Sequence, residues 1–251
     1  MTLPLVVGNG PTRVLVLHGW FGSAEAWKPL VDVLDSQRFT YAFVDYRGYG
    51  ARQQETGSFT VEEIACDTLA IADQLGWSHF DLIGHSMGGK AIQRTLTLAP
   101  QRVRKMVAIT PVPAGGVPFD DAGWALFTGA VDRIESRRDI IAFSTGARLS
   151  GHWAMRMAEQ SERQSTREAF SAYLQSWARG DFTAEIAGNT VPVKVIIGEH
   201  DPSLTAEVMR ATWLASYPNA TMEIIPNAGH YPMDETPVAL ATAIESFLGA
   251  A

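Results

Sequence analysis

The chain has 251 residues, a length that suits one large α/β domain or two small ones, and 46% of them are apolar, ample for a buried core. Its net charge of −7 is spread without long runs of either sign, which argues against nucleic acid or an anionic membrane and leaves a small-molecule substrate as the expected partner. The single cysteine excludes an internal disulfide, no Cys/His spacing suits zinc, and no metal or other cofactor is expected.

The first eight residues lack a basic region, and Pro4 and Gly8 break their apolar run, so no signal peptide is expected. No apolar stretch approaches the ~20 residues needed to span a bilayer. A cytoplasmic location is the expectation, and the sequence sets no oligomeric state.

After a turn at Gly8-Asn9-Gly10-Pro11, residues 13–17 are, from Val14 on, a continuous β-branched and apolar run, as a strand buried on both faces is. His18-Gly19-Trp20-Phe21-Gly22 closes it. Ser23 ahead of Glu25-Ala26-Trp27 predicts a capped helix to Leu34, and residues 40–45 a second strand ending in Asp45-Tyr46-Arg47-Gly48-Tyr49-Gly50. Val61, Ile64, Ala65, Leu69, Ala72 and Leu75 recur at helical spacing between a Thr60-x-x-Glu63 capping box and Gly76. Cys66 lies in this periodic segment and reads as a buried, inert thiol. A strand over residues 80–83 leads into a helix over residues 86–99, stopped by Pro100, and residues 103–110 are another buried strand. Strands and helices alternating over short connections imply a mostly parallel sheet with helices on both faces.

The alternation stops at Pro111-Val112-Pro113-Ala114-Gly115-Gly116. Trp124, Phe127, Val131 and Ile134 recur at steps of three and four behind Asp120 and Asp121. Phe170, Tyr173, Leu174 and Trp177 do the same behind a Ser165-x-x-Glu168 capping box and ahead of Gly180. An all-helical insert in an α/β chain reads as a cap over the carboxyl edge of the sheet, which divides the chain into a core of residues 1–111 and 190–251 and a cap of residues 112–189. Most of the insert's aromatic stripes are expected to be packing. Arg137, Arg138 and Arg148 could contact an anionic substrate, but each reads better as part of a solvated face. Beyond the insert, residues 193–197 form a strand closing in Gly198-Glu199-His200-Asp201-Pro202. A helix over residues 205–215, a strand over residues 220–225, the loop Pro226-Asn227-Ala228-Gly229-His230-Tyr231-Pro232 and a last helix to Leu248 follow.

Gly84-His85-Ser86-Met87-Gly88-Gly89 joins an apolar strand directly to a helix. A serine at such a turn takes a cramped backbone that pushes its hydroxyl outward, which makes Ser86 a candidate nucleophile in need of a general base and an orienting acid. Asp201 and His230 each follow a predicted strand, as His18-Gly19-Trp20 does, and loops at the carboxyl ends of parallel strands converge on one site. Ser, then acid, then His is the chain order expected on such a sheet. Glu199 and Asp234 are the alternative acids.

These motifs, with Asp45-x-x-Gly48-x-Gly50 and Gly229-His230 followed by Glu235-x-Pro237, identify the chain as resembling the α/β-hydrolase superfamily over nearly its whole length. The resemblance implies Ser86 as nucleophile, His230 as general base and then acid, and Asp201 as the group orienting it. It also implies an oxyanion hole from the backbone N–H groups of Met87 and Trp20, and a cap over the pocket. Ala51-Arg52 departs from the small polar residue usual after the Asp45–Gly50 loop. The expected activity is hydrolysis of a carboxylic ester of a small or medium apolar substrate through an acyl-enzyme, with C–C bond hydrolysis, lactone opening, perhydrolysis or non-catalytic ligand reception as alternatives. Substrate contacts are expected from Trp20, Met87, Trp124, Phe127, Phe143, Trp153 and Tyr231.

Overall fold

A computed structural model describes residues 2–250; Met1 and Ala251, which end the expected core, lie outside the described residues. Among the described residues, seven strands form one sheet in the order β1-β3-β2-β4-β5-β6-β7. They are β1 (Leu5–Val7), β2 (Thr12–Leu17), β3 (Phe39–Val44), β4 (Phe80–His85), β5 (Val103–Ile109), β6 (Val193–Gly198) and β7 (Ala220–Ile225). All neighbours run parallel except β1, a short antiparallel edge strand on β3 that hydrophobic patterning did not reveal.

Strand side chains alternate between two cores, because successive residues of a strand point to opposite faces. Leu15, Leu17, Leu82 and Ala108 fill one core with α2 (Val61–Gln74) and α3 (Met87–Leu98). Val14, Val16, Ile83 and Val107 fill the other with the single turn α1 (Lys28–Val31) and the C-terminal helix. The sheet is therefore buried on both sides. β2 leads outward to β3, whereas β4 leads the other way to β5, β6 and β7, so the crossovers diverge between β2 and β4. In such a sheet the crevice at that divergence is where ligands are received.

The insert between β5 and β6 comprises α4 (Asp121–Gly129), α5 (Ile134–Ser144), α6 (Gly151–Gln164), α7 (Arg167–Arg179) and the single turn α8 (Thr183–Ile186). It belongs to both cores, since Ile140 of α5 joins one and Ile141 the other. Backbone contacts seat it on the loop after β3, where Thr166 N–H donates to Gly48 O at 2.8 Å. Beyond β6 come α9 (Ala206–Met209), which continues as a π-helical turn over Arg210–Leu214, then β7, α10 (Pro232–Glu235) and α11 (Pro237–Leu248).

Several local expectations need correction. Ser23 caps no helix: a 3₁₀ turn at Ala24–Trp27 precedes α1, and the Ser23 hydroxyl donates instead to Gln164 of α6. Thr60 Oγ1 does accept the Glu63 N–H at 3.1 Å, but the Glu63 carboxylate turns outward to the Ser58 and Phe59 N–H groups, leaving half a capping box. In α7 the cap is Thr166, which accepts from Ala169 N–H, while Ser165 Oγ is drawn to Ser161 O. The periodicity from Trp124 to Ile134 spans a break after Gly129, so it belongs to two helices. Cys66 is exposed, because it falls on the outer side of α2 one position past buried Ala65.

Candidate active site

Ser86 stands between β4 and α3 at φ 53° and ψ −115°, a left-handed backbone that a residue with a Cβ takes only under constraint. The glycines around it make the turn possible by close approach. A Cβ on Gly84 would lie 2.3 Å from Gly88 O, and one on Gly88 would lie 2.3 Å from Leu17 O. Ser86 thus ends a strand and opens a helix with no room for a wider turn. Its position at the α3 N-terminus adds the free N–H groups and the favourable dipole of that end.

His230 follows β7 in a loop pinned from several sides. Its Nδ1–H donates to Asp201 Oδ2 at 2.6 Å. A carboxylate cannot donate, so in neutral imidazole Nε2 is left as the lone-pair nitrogen. Asp201, whose side chain is fully buried, also accepts the N–H groups of Ser203 and Leu204 on Oδ1 at 2.9 and 3.0 Å. Burial alone raises its pKa, but His230 and those two N–H groups outweigh burial and hold the carboxyl below its usual range. Of the alternative acids, exposed Glu199 accepts from Asn227 N–H instead, and Asp234 is pushed up to about 6, chiefly by burial. No hydrogen bond joins Ser86 Oγ to His230 among the described residues. Such contacts are often long without substrate.

The loop after β2 closes the other side. A Cβ on Gly19 would lie 2.7 Å from His85 Nδ1 and 3.1 Å from Ser86 Cβ, so this backbone is pressed against the elbow. Trp20 O accepts from Tyr49 Oη at 2.9 Å, and its indole N–H donates to Phe170 O at 2.7 Å. Its ring stacks on Phe170 at a centroid distance of 3.9 Å and on Phe127 at 5.8 Å. The backbone N–H groups of Trp20 and Met87 have no acceptor among the described residues. His18 Nδ1–H donates to Gly19 O at 2.8 Å; burial lowers the His18 pKa although Asp45 and Gly19 O pull the other way. His85 is held well below its ordinary value by burial and by neighbouring His230, and its Nε2–H donates to His230 O at 2.9 Å.

Other expected contacts are distributed unevenly. Phe127 joins the Trp20 and Trp177 rings, while Tyr231 packs edge-on against His230 and Trp153. Trp124 is half-buried under the Arg179 guanidinium at 4.0 Å. Phe143 is 56% exposed and stands outside these groups. A narrow, mainly apolar cleft beside the elbow is lined by Gly19, Phe21, Trp27, His85, Met157 and Tyr231. Phe21 and Trp27 were not anticipated, since periodicity is silent about Phe21 in its loop and reads Trp27 only as helix packing.

The insert arginines also differ from expectation. Arg137 is only 3% exposed: it donates to Ala130 O, Ser161 Oγ and Ser165 Oγ, and its guanidinium lies 3.7 Å from the Phe170 ring centroid. Arg148 pairs with Glu235, and Arg138 remains a surface partner of Asp139. Arg52, at the departure from the family pattern, is buried against Asp67 and Glu55. No cluster of three or more metal-ligating side chains occurs among the described residues, nor is any helix there long and apolar enough to cross a membrane.

Residues 14–243 match the model of the alpha/beta hydrolase family. The chain belongs to that family. Curated relatives of this hydrolase include a pimeloyl-[acyl-carrier protein] methyl ester esterase from Serratia marcescens, 26% identical with 97% of this chain and 96% of that one covered. A 2-(acetamidomethylene)succinate hydrolase from Mesorhizobium japonicum is 28% identical, covering 97% and 90%. Among solved structures, a hydrolase from Oleispira antarctica superposes with a TM-score of 0.87 over 98% of this hydrolase and 94% of that chain, at 19% identity, which speaks to the fold.

Proposed function

We propose that this hydrolase cleaves a carboxylic ester of a small or medium apolar substrate through an acyl-enzyme on Ser86. The observation that carries the reading is the 2.6 Å bond from His230 Nδ1–H to buried Asp201, which leaves Nε2 as the proton acceptor on a histidine whose loop meets the elbow. Ser86 Oγ attacks the ester carbonyl carbon as His230 Nε2 takes its proton. The imidazolium is stabilised by Asp201 and then protonates the departing alkoxide. Water, deprotonated by the same nitrogen, attacks the acyl-enzyme and releases the acid and Ser86.

Charge develops on the carbonyl oxygen at each tetrahedral stage. The Met87 and Trp20 N–H groups, which have no other acceptor among the described residues, are the donors for it, and each such donor is worth about 10²-fold or more in rate. The insert acts as the cap, and the cleft lined by Phe21, Met157 and Tyr231 offers apolar surface to an acyl or alcohol group, while the buried Trp20–Phe170 stack packs the insert against the β2 loop. The relatives' names span ester and other hydrolytic substrates, so the test is a panel of nitrophenyl esters, lactones and β-diketo acids. Wild type is expected to turn over the short esters fastest, and Ser86→Ala to abolish this while staying folded. Undiminished turnover in folded Ser86→Ala overturns the mechanism, faster turnover of another class overturns the ester assignment, and stoichiometric binding without turnover indicates a receptor.

A further inference from the structure

Buried carboxylates are stable only where donors surround them, and Glu235 is one that the mechanism above does not use. Its side chain is 2% exposed. Oε1 accepts the Tyr231 N–H at 3.0 Å, and Oε2 accepts the Gly229 N–H at 2.9 Å. One carboxylate therefore holds both peptide N–H groups flanking His230. The third donor is Arg148 Nη2, at 2.6 Å from Oε2.

The rest of the loop is restrained to match. His230 N–H donates to Ser144 O at 3.1 Å, and His230 O receives His85 Nε2–H at 2.9 Å and the Thr110 hydroxyl at 3.1 Å. Ser144 and Arg148 flank one turn at the C-terminus of α5. That turn places Gly146 at φ 70° and Ala147 at φ 54°, the second a conformation unfavourable for a residue with a Cβ. Ala147 N–H closes it on Ala142 O at 2.9 Å, and the chain emerges with Arg148 reaching Glu235 and Asn227 O. A Cβ on Gly229 would lie 2.6 Å from Thr145 Cα, so the turn and the His230 loop are in direct backbone contact.

We propose that Glu235 is a positioning residue for His230, with Arg148 of the insert as its counter-charge. The inference rests on the reading of His230 as general base. Asp201 fixes Nδ1, and the backbone at His230 fixes the other end of the side chain, so the two together set where Nε2 points. Glu235 fixes that backbone on both sides, and misplacement of a reacting group by about 1 Å costs on the order of 10²-fold in rate. Through Arg148 the insert is wired to the base, so the segment that meets the substrate also aligns the group that takes the proton.

The test compares wild type, Glu235→Gln and Arg148→Met for kcat and KM on a short nitrophenyl ester. It also follows the far-downfield proton resonance of the His230 Nδ1–H···Asp201 bond and thermal melting. Glutamine keeps the shape but turns one acceptor into a donor facing N–H groups. Glu235→Gln is expected to lower kcat about 10- to 100-fold with KM within about twofold, and to shift or broaden the resonance. Arg148→Met is expected to lower kcat about three- to tenfold with a smaller change in the resonance. A folded Glu235→Gln with undiminished kcat and an unchanged resonance overturns the proposal, as does a lowered melting temperature with both readouts intact, which is the mark of a structural role alone. Should Glu235→Gln not fold, Arg148→Met decides by the same criteria. Should wild type hydrolyse no ester, the ester reading fails, while the resonance still reports whether Glu235 positions His230.

Discussion

Gly19→Ala places a methyl group where the structure has room for none. Its Cβ would stand 2.7 Å from His85 Nδ1 and 3.1 Å from Ser86 Cβ. His85 cannot swing aside cheaply, because it is buried and its Nε2–H is committed to His230 O at 2.9 Å. The β2 loop must therefore retreat, and the Trp20 N–H retreats with it. Overpacking of this kind costs about 1–3 kcal/mol of stability, and losing one oxyanion donor outright costs about 10²–10³-fold in kcat. Partial withdrawal should fall below that ceiling, at about 10- to 100-fold. At roughly 2–4 °C per kcal/mol for a chain of this size, the melting temperature should drop by about 2–12 °C. Gly22→Ala is the control, since its Cβ would meet His18 Cβ at 3.3 Å and Gly19 O at 3.4 Å, contacts that a shift of a few tenths of an ångström relieves, and kcat should stay within about twofold. The assay is kcat on a short nitrophenyl ester beside a thermal melt. Full kcat with an unmoved melt refutes the close approach, and a lowered melt with full kcat refutes Trp20 as an oxyanion donor.

Three further outcomes follow from the same geometry. Asp201→Asn should lower kcat by about 10³–10⁴-fold because asparagine can leave His230 in the wrong tautomer, whereas Glu199→Gln, at an exposed carboxylate, should stay within about twofold; a larger loss from Glu199→Gln makes Glu199 the acid. Asp81 is pushed up to about 6 by burial, with Arg104 and Lys105 offsetting only part of it. Its folded pKa is raised, so the stability it contributes is present below the unfolded value and lost as pH rises through about 6. At about 1.4 kcal/mol per pH unit the loss is roughly 2–3 kcal/mol. Urea unfolding should accordingly find Asp81→Asn more stable than wild type at pH 8, and an advantage no larger at pH 8 than at pH 4 contradicts the sign. Exposed Cys66, with its thiol pKa raised by partial burial and by Glu62 and Asp67, should label with an aromatic disulfide in the native state, faster at higher pH and without loss of activity. Labelling only after unfolding would restore the buried reading.

Much of the fold was legible because it is written in short-range chemistry. A strand buried on both faces needs an unbroken apolar run, and residues 14–17, 106–109 and 195–197 each supply one. Caps and stops were less so. Thr60 and Ser165 present the same Thr/Ser-x-x-Glu pattern, yet only Thr60 caps its helix, because Thr166 beside Ser165 competes for the role and wins. Cys66 was misplaced for a related reason. An amphipathic helix buries a stripe, and periodicity locates that stripe to within about one residue, enough to confuse Cys66 with Ala65.

At the site, sequence order and strand ends pointed to Ser86, Asp201 and His230 because each role needs a side chain of fixed chemistry at a fixed place on the sheet. The support around them is only partly legible: Glu235 stands in the motif Gly229-His230 followed by Glu235-x-Pro237, but nothing in that string says what its carboxylate touches. Glu235 reaches back to Tyr231 and Gly229 only because α10 begins at Pro232 and folds the chain over, and Arg148 arrives from 87 positions away through a turn whose φ values no propensity favours at Ala147. Arg137 is hidden in the same way. Its charge reads as solvent-facing, while three neutral acceptors and the Phe170 face draw it inside. On the proposed mechanism, local sequence specifies the groups that react, whereas the groups proposed to aim them are selected by contacts between distant segments. The insert enters the site by this second route, through Phe170 on Trp20 and through Arg148 on Glu235. Residues far from Ser86 in sequence should therefore govern kcat without touching substrate.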